Sequence, residues 1–140
     1  MLTVVYTGSR DPLSKLARVL TQNAKWSHCG ILVEGFVVEA RVWYGVVATP
    51  FEEWKARCPH YEVVQIDCPN PAAARSFAWS QIGVGYDYLG AFGVPFRSSW
   101  QDSNRWYCSE LVEAALAAGG RQRWRDSKSG ISPQESWDVL

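Results

Sequence analysis

Two β-rich runs on either side of Glu34 and Gly35 constrain the fold of this chain more than any other stretch. In a strand, alternate residues share a face, and each run has one apolar face. A loop of two or four residues centred on Glu34 and Gly35 pairs Val33 with Phe36 and puts both apolar faces on the same side. A three-residue loop would turn one of them to solvent. The pattern therefore predicts a β-hairpin whose apolar face carries Cys29, Ile31, Val33, Phe36, Val38, Ala40 and Val42.

The opposite side of this hairpin carries the residues that could take part in a reaction. In the predicted register His28 pairs with Arg41, and Glu39 lies one diagonal step from His28. Long side chains reach across that distance on a sheet. A carboxylate there can hold the second nitrogen of an imidazole and so fix its tautomer. The hairpin thus predicts a His28–Glu39 pair on one sheet face.

A second stretch places a thiol near the start of an apolar helix. Apolar residues recur at three- and four-residue spacing from Tyr107 to Ala118, Gly119 and Gly120 provide a stop, and Asp102, Ser103 and Asn104 are suitable N-caps. Cys108 falls in the opening turns, where the helix dipole favours thiolate. The alternative is that Cys108 is a small buried hydrophobic residue, as free cysteines usually are.

Four short segments follow one another along the chain: Ser27-His-Cys-Gly-Ile, Val37-Val-Glu-Ala, Gly85-Tyr-Asp and Trp106-Tyr-Cys-Ser-Glu-Leu-Val. Their residues and their order carry a resemblance to a known family. Over residues 3 to 135 the chain resembles the circularly permuted branch of the NlpC-type papain-like cysteine hydrolases, the YaeF/YiiX-like proteins. Lecithin retinol acyltransferase is a permuted relative of that branch. The resemblance implies that Cys108 is the nucleophile, His28 the base and Glu39 the residue that orients it. It also makes Tyr6, on the first strand, a candidate oxyanion or substrate-binding residue, together with Tyr107 and Ser27.

The fold implied is α+β over a single domain, residues 1–140. We expect a permuted papain-like (NlpC-type) fold in which a small, mainly antiparallel sheet packs against the cysteine-bearing helix. The reaction implied is thiol hydrolysis of an amide or acyl bond through a thioester, on cell-wall (peptidoglycan) peptides or acylated amines. Two alternatives stay open. One is a lipid acyltransferase of the same fold, and the other is a non-catalytic phage or envelope component that binds peptides.

Composition sets further limits. The formal net charge is zero and 47% of the residues are hydrophobic, so nucleic acid is not an expected partner. No stretch approaches the roughly 18 apolar residues of a membrane span, so no integral membrane segment is expected. The first residues lack the features of a signal peptide. We therefore expect a cytoplasmic protein, with a phage origin or another export route left open. The oligomeric state is not indicated.

The remaining cysteines and the second histidine suggest no separate chemistry. All four cysteines are expected to be free thiols. A metal site at Cys58, His60 and Cys68 lacks closely spaced ligand pairs, so neither a metal nor an organic cofactor is expected. His60 is an alternative base, but it has no same-face carboxylate as clear as Glu39.

Three further helix starts and one loop are predicted. Asp11, Asn70 and Ser132 each precede a proline, which is the pattern of an N-cap followed by a first-turn proline. Glu135 completes a capping box with Ser132. The segment 86–100 has no steady period and is predicted to be a packed loop that walls the substrate cleft or fills the core.

Overall fold

The structure, a computed structural model, describes residues 1–8, 25–86, 105–125 and 131–140. The strands are β1 (Leu2–Thr7), β2 (His28–Val33), β3 (Phe36–Arg41), β4 (Gly45–Pro50), β5 (Tyr61–Ile66), β6 (Gly85–Tyr86) and β7 (Arg105–Trp106). The helices are α1 (Phe51–Arg57), α2 (Pro71–Ser80), α3 (Cys108–Ala118) and α4 (Pro133–Asp138). The chain thus contains both helices and strands, and its main sheet is antiparallel, which agrees with the predicted α+β class.

Five strands form one antiparallel sheet in the order β4-β3-β2-β1-β5, and β6 pairs with β7 in a small parallel ribbon. The predicted hairpin is β2–β3, with Val33 opposite Phe36 and Ile31 opposite Val38. Its loop has two residues, and both Glu34 and Gly35 have positive φ, 48° and 85°. This is the backbone of a type I′ turn, whose twist matches that of the strands it joins. The ladder stops at Ile31–Val38, so the predicted pairing of His28 with Arg41 lies beyond its end.

The two faces of the sheet are covered by different helices. One face packs against α2 and α3, and its core contains five residues of the predicted apolar set, together with Leu111 and Leu116 of α3: Cys29, Ile31, Val33, Val38 and Ala40. Val42 is only partly buried against this core, and Phe36, predicted for the same face, is 38% exposed beside the turn. Each of these leucines is fully buried, which stabilises the fold by roughly 2 kcal/mol per side chain. The other face is covered by α1, where the fully buried Trp54 packs with Val5 and Val37. The cysteine helix therefore packs on the sheet as predicted, and a second helix closes the side that carries Glu39.

Two of the predicted helix starts have the expected caps. Asn70 accepts a hydrogen bond from the Ala73 N–H at 3.1 Å. Ser132 and Glu135 form the reciprocal capping box at the start of α4, with distances of 3.1 and 2.9 Å. The start of α3 was predicted wrongly. Its N-cap is Tyr107, downstream of the three polar residues proposed for that position.

Two of these expectations lie outside the described residues: the helix that begins after Asp11 and almost all of the loop 86–100. All four cysteines are described and are free thiols, as predicted, and all four are buried. None of the helices in the described parts of the chain combines the length and apolar character that a bilayer-spanning segment requires.

Candidate active site

Cys108 is the first residue of α3. Tyr107 precedes it in an extended conformation, and the Tyr107 N–H donates to the Glu110 carboxylate at 3.2 Å. The thiol lies at the positive end of the helix dipole, which favours its anionic form. Burial alone would raise the pKa of Cys108, but hydrogen bonds from Cys29 and His28, and the charge of His28, hold that pKa well below its usual value. The site therefore contains a thiol poised as a thiolate.

His28 is the first residue of β2, and its imidazole bonds to two acidic groups. Nε2 lies 2.6 Å from the Glu39 carboxylate, which is the predicted pairing on one sheet face. The other bond is to the Cys108 thiol, and because Nε2 faces the carboxylate, Nδ1 is the nitrogen available to the sulfur. Burial acts to lower the pKa of His28, but these two bonds and the charges behind them raise it to about 10. The imidazole is thus protonated at neutral pH and lies between two anions.

Because Gly30 has no side chain, it leaves space for His28 and Glu39 to meet. A Cβ at this position would lie 2.7 Å from the Val37 side chain and 3.2 Å from the Glu39 Cβ. Both distances are closer than carbon atoms normally approach, so any larger residue would displace the strand that carries Glu39. The hairpin therefore depends on a glycine between its histidine and its carboxylate. Nothing in the residue pattern alone indicated this role for Gly30.

Glu39 is fully buried and is bonded by four side chains. Besides His28, its carboxylate accepts hydrogen bonds from Thr49 at 2.8 Å, from the Trp54 indole at 3.1 Å and from Arg57. Burial raises the pKa of Glu39, but the bond and charge of His28, the charge of Arg57 and the Thr49 bond lower it to about 2. A buried carboxylate with these partners stays ionised at every physiological pH.

Two of those partners, Trp54 and Arg57, come from α1, a helix that was not among the predicted site elements. Trp54 and Arg57 are three residues apart, so they lie on the same side of α1 and both reach Glu39. That spacing was the only available signal, and it is common in helices that merely pack on a sheet. Trp54 and Arg57 belong to the site because α1 packs over the sheet face that carries Glu39.

Of the other predicted site residues, Tyr6 is the one whose side chain belongs to a buried hydrogen-bond network. Its hydroxyl lies 2.9 Å from the Ser136 hydroxyl, which in turn donates to the Glu113 carboxylate at 2.6 Å. Since the only proton of Ser136 goes to Glu113, Tyr6 donates its own proton to Ser136. Burial of Tyr6 raises the pKa of the phenol, so this proton is firmly held. An oxyanion role for Tyr6 stays a prediction and requires this hydrogen bond to break.

Ser27 and Tyr107 flank the two central residues. Both are buried, and the Ser27 N–H donates to the Thr7 carbonyl at 3.1 Å. The Ser27 hydroxyl is buried and has no hydrogen-bond partner among the described residues. A buried hydroxyl normally has a partner, so this one is available for a bound group. Tyr107 supplies the N-cap backbone of α3 beside Cys108.

His60, the alternative base, is exposed at the start of β5. Its backbone carbonyl accepts a hydrogen bond from Thr7 at 2.8 Å. The imidazole whose hydrogen bond and charge act on the thiol is that of His28. The geometry therefore favours His28 over His60 as the partner of Cys108.

Comparison with known proteins identifies a family and a similar solved structure. A family model described as permuted papain-like amidase enzyme, YaeF/YiiX, C92 family, matches residues 3–129. The chain is also similar to the crystal structure of YiiX from Escherichia coli O157:H7, which is described as a metalloprotein. The TM-score is 0.66 and the identity 26%, over 86% of this chain and 67% of that one. A comparison with curated proteins returns no significant match.

The family match covers nearly the whole chain, including the histidine strand, the Glu39 strand and the cysteine helix, in the permuted order. Five antiparallel strands with the cysteine helix packed against them agree with that assignment. This chain therefore belongs to the YaeF/YiiX family of permuted papain-like amidases, and it is an enzyme of the cysteine hydrolase class.

Proposed function

We propose that this enzyme hydrolyses amide bonds with Cys108 as nucleophile, His28 as general acid and base, and Glu39 as the residue that orients His28. One observation supports the proposal above all others. A single imidazole bonds on one side to a buried carboxylate, at 2.6 Å, and on the other side to a thiol at the start of a helix. This is the relation of nucleophile, base and orienting group that acyl-transfer enzymes use on unrelated folds.

The first half of the reaction forms a thioester. The Cys108 thiolate attacks the carbonyl carbon, and the carbonyl oxygen becomes an oxyanion. The Cys108 N–H, at the start of α3, has no partner within the helix and is placed to stabilise that charge. The protonated His28 then donates its proton to the leaving nitrogen, the C–N bond breaks and an amine departs. Glu39 keeps Nε2 protonated and directs Nδ1 at the sulfur throughout.

The second half releases the acid. Neutral His28 removes a proton from water, the resulting hydroxide attacks the thioester carbon, and Cys108 leaves as thiolate beside the reprotonated imidazole. The Ser27 hydroxyl is our candidate for a second oxyanion donor, because it is buried beside His28 and lacks a partner among the described residues. The reaction as written needs no cofactor.

The related YiiX structure is described as a metalloprotein, so we tested whether residues of this chain fit a metal. Within the described residues, no group of three or more His, Cys, Asp or Glu side chains is arranged to hold an ion. The suggested ligands Cys58 and Cys68 belong to different core clusters, and the Cys68 thiol donates to the Gly119 carbonyl. The described residues do not fit a metal, and the mechanism takes no step through one.

The substrate we propose is a peptide amide of the cell wall or an acylated amine. The test is a panel of peptidoglycan-derived peptides and N-acyl amines, with mass spectrometry of the enzyme during turnover. We expect release of an amine and an acyl adduct on Cys108 that disappears when substrate is exhausted.

The matched control is Cys68→Ala, which removes a buried thiol that contacts the far end of α3, at Gly119, and not its start. This variant should retain the adduct and the turnover, whereas Cys108→Ala should lose both. Transfer of the acyl group to an added amine or alcohol in preference to water would identify the lipid-acyltransferase alternative. Binding of a peptide without an adduct on Cys108 would identify the non-catalytic one.

A further inference from the structure

Two thiols lie side by side at the candidate active site. Cys29 follows His28 on β2, and Cys108 begins the helix that packs on that strand. Both side chains are buried in the same core cluster, with exposures of 0% and 1%. Each thiol also acts on the pKa of the other, raising that of Cys29 and lowering that of Cys108, as only neighbouring groups do. The strand that carries the proposed base thus also delivers a second thiol to the nucleophile.

The other two cysteines are placed differently. Cys68 donates to the Gly119 carbonyl at 3.4 Å, and Cys58 belongs to the core on the other face of the sheet. None of the four is in a disulfide. Among the other three cysteines, Cys29 is therefore the one that acts on the Cys108 thiol, and the hydrolysis mechanism gives Cys29 no role.

We propose that Cys29 and Cys108 form a reversible disulfide when Cys108 is oxidised by a peroxide, and that this bond switches the enzyme off. The switch goes beyond the proposed hydrolysis and shares with it only the reactive Cys108 thiolate. A disulfide removes the lone thiolate that would attack substrate, and reduction restores it. The bond also prevents oxidation of Cys108 to sulfinic acid, which most proteins cannot reverse.

The chemistry balances in two steps. The Cys108 thiolate attacks one oxygen of hydrogen peroxide and the O–O bond breaks. The departing hydroxide takes the proton of the His28 imidazolium, so the products are a sulfenic acid and water. The Cys29 sulfur then attacks the Cys108 sulfur and the S–O bond breaks. The departing hydroxide takes the Cys29 proton and leaves as a second water, while the two sulfurs are joined.

The environments of the two thiols assign the order of these steps. Hydrogen bonds and the His28 charge keep Cys108 anionic, so it is the thiol that peroxide oxidises. Burial and the neighbouring Cys108 raise the pKa of Cys29, so its thiol stays protonated and unreactive until a sulfenic acid forms beside it. Cys108 is therefore the peroxide-sensitive thiol, and Cys29 is the one that resolves it.

The test uses the full chain and hydrogen peroxide as the probe. After brief treatment, peptide mapping without reductant should find Cys29 and Cys108 linked, with the intact protein lighter by two hydrogen atoms. Labelling of Cys108 by iodoacetamide should be lost and then recovered with dithiothreitol. In Cys29→Ser the label should also be lost, but dithiothreitol should recover little of it because sulfinic acid accumulates. Cys68→Ser, the matched control, should behave as the unmodified protein does.

Two results would overturn the switch: a Cys108 sulfinic acid in the unmodified protein with no linked peptide, or equal recovery of labelling in Cys29→Ser. The peptide map of the unmodified chain gives this answer even when a variant fails to fold. Neither readout needs a substrate. A linked pair in a protein that turns over no amide would refute the proposed hydrolysis and leave the disulfide established, and the reverse outcome would refute the switch alone.

Discussion

Replacing Glu39 by glutamine exchanges one carboxylate oxygen for an NH₂ group, and this change tests both the stability of the fold and the proposed mechanism. The carboxylate accepts hydrogen bonds from His28, Thr49, Trp54 and Arg57. The amide has nearly the same shape but no charge, and its NH₂ group faces donors that it cannot accept from. The change therefore leaves the Arg57 cation without its partner and the His28 imidazole without the anion that holds it.

The magnitude follows from the pKa of Glu39, which the fold lowers from its ordinary value of 4.5 to about 2. A shift of about 2.5 units corresponds to about 3 kcal/mol, and because the group is fully buried no discount for solvent screening applies. A lowered carboxyl pKa contributes stability that is fully present above pH 4.5 and is lost as pH falls from there toward 2. We expect Glu39→Gln to lower the free energy of unfolding at pH 7 by about 3 kcal/mol. The melting temperature should fall by about 10 °C.

The effect on catalysis has the same origin. Without the carboxylate, the pKa of His28 falls from about 10, and less of the thiolate–imidazolium pair exists at neutral pH. A loss of about 3 kcal/mol in that state corresponds to a decrease in kcat/KM of roughly 10²-fold. Turnover should thus be weak but measurable, since nucleophile and base both remain.

The assay pairs urea unfolding at several pH values with kcat/KM on the substrate found in the panel. Glu53→Gln is the matched control, because Glu53 is exposed on α1 and its substitution should change neither quantity. A Glu39→Gln variant with unchanged stability would refute the argument from the buried carboxylate. A variant as inactive as Cys108→Ala would refute the orienting role.

Four more predictions concern the thiol and its base. Cys108→Ala should abolish turnover while circular dichroism and melting stay close to those of the unmodified enzyme, since only a small void is left. His28→Ala should lower turnover nearly as much as Cys108→Ala, whereas His60→Ala should leave it almost unchanged. Steady-state kinetics that showed the larger loss in His60→Ala would make His60 the base. Mass spectrometry should find Cys108 alkylated well below pH 8 and far faster than Cys29, Cys58 or Cys68; equal rates would point to a structural thiol. The activity profile should rise with pH through the lowered pKa of Cys108 and fall near pH 10 as His28 loses its proton, and a fall near pH 6.5 would contradict the arrangement.

The pairing of His28 with Glu39 was predictable because it depends on local pattern. Alternation of apolar residues specifies which side of each strand is buried, and a one-residue slip would reverse it. The two-residue turn at Glu34 and Gly35 then specifies the register. The capping box at Ser132 was equally predictable, since it involves residues three positions apart.

The start of the cysteine helix was predicted less well. Polar residues at 102–104 have the chemistry of N-caps, yet α3 begins at Cys108 after the short strand β7. Pairing of β7 with β6 keeps that segment extended up to the cysteine, and such a pairing is not encoded in local propensity. The result places the thiol at the first helical residue, nearer to the positive end of the dipole than the sequence indicated.

The sequence by itself determined the features whose interacting residues are close along the chain: the hairpin, the face of it that carries His28 and Glu39, and the amphipathic cysteine helix. Only the tertiary structure decided that α1 brings Trp54 and Arg57 to Glu39 and that Cys29 acts on the Cys108 thiol. The meeting of His28 with Cys108 was implied by the family resemblance and not by any local pattern. These contacts join residues distant in the chain. Their positions depend on how helices pack on the two faces of the sheet, and apolar packing surfaces carry no residue-specific signal of which neighbour they will meet.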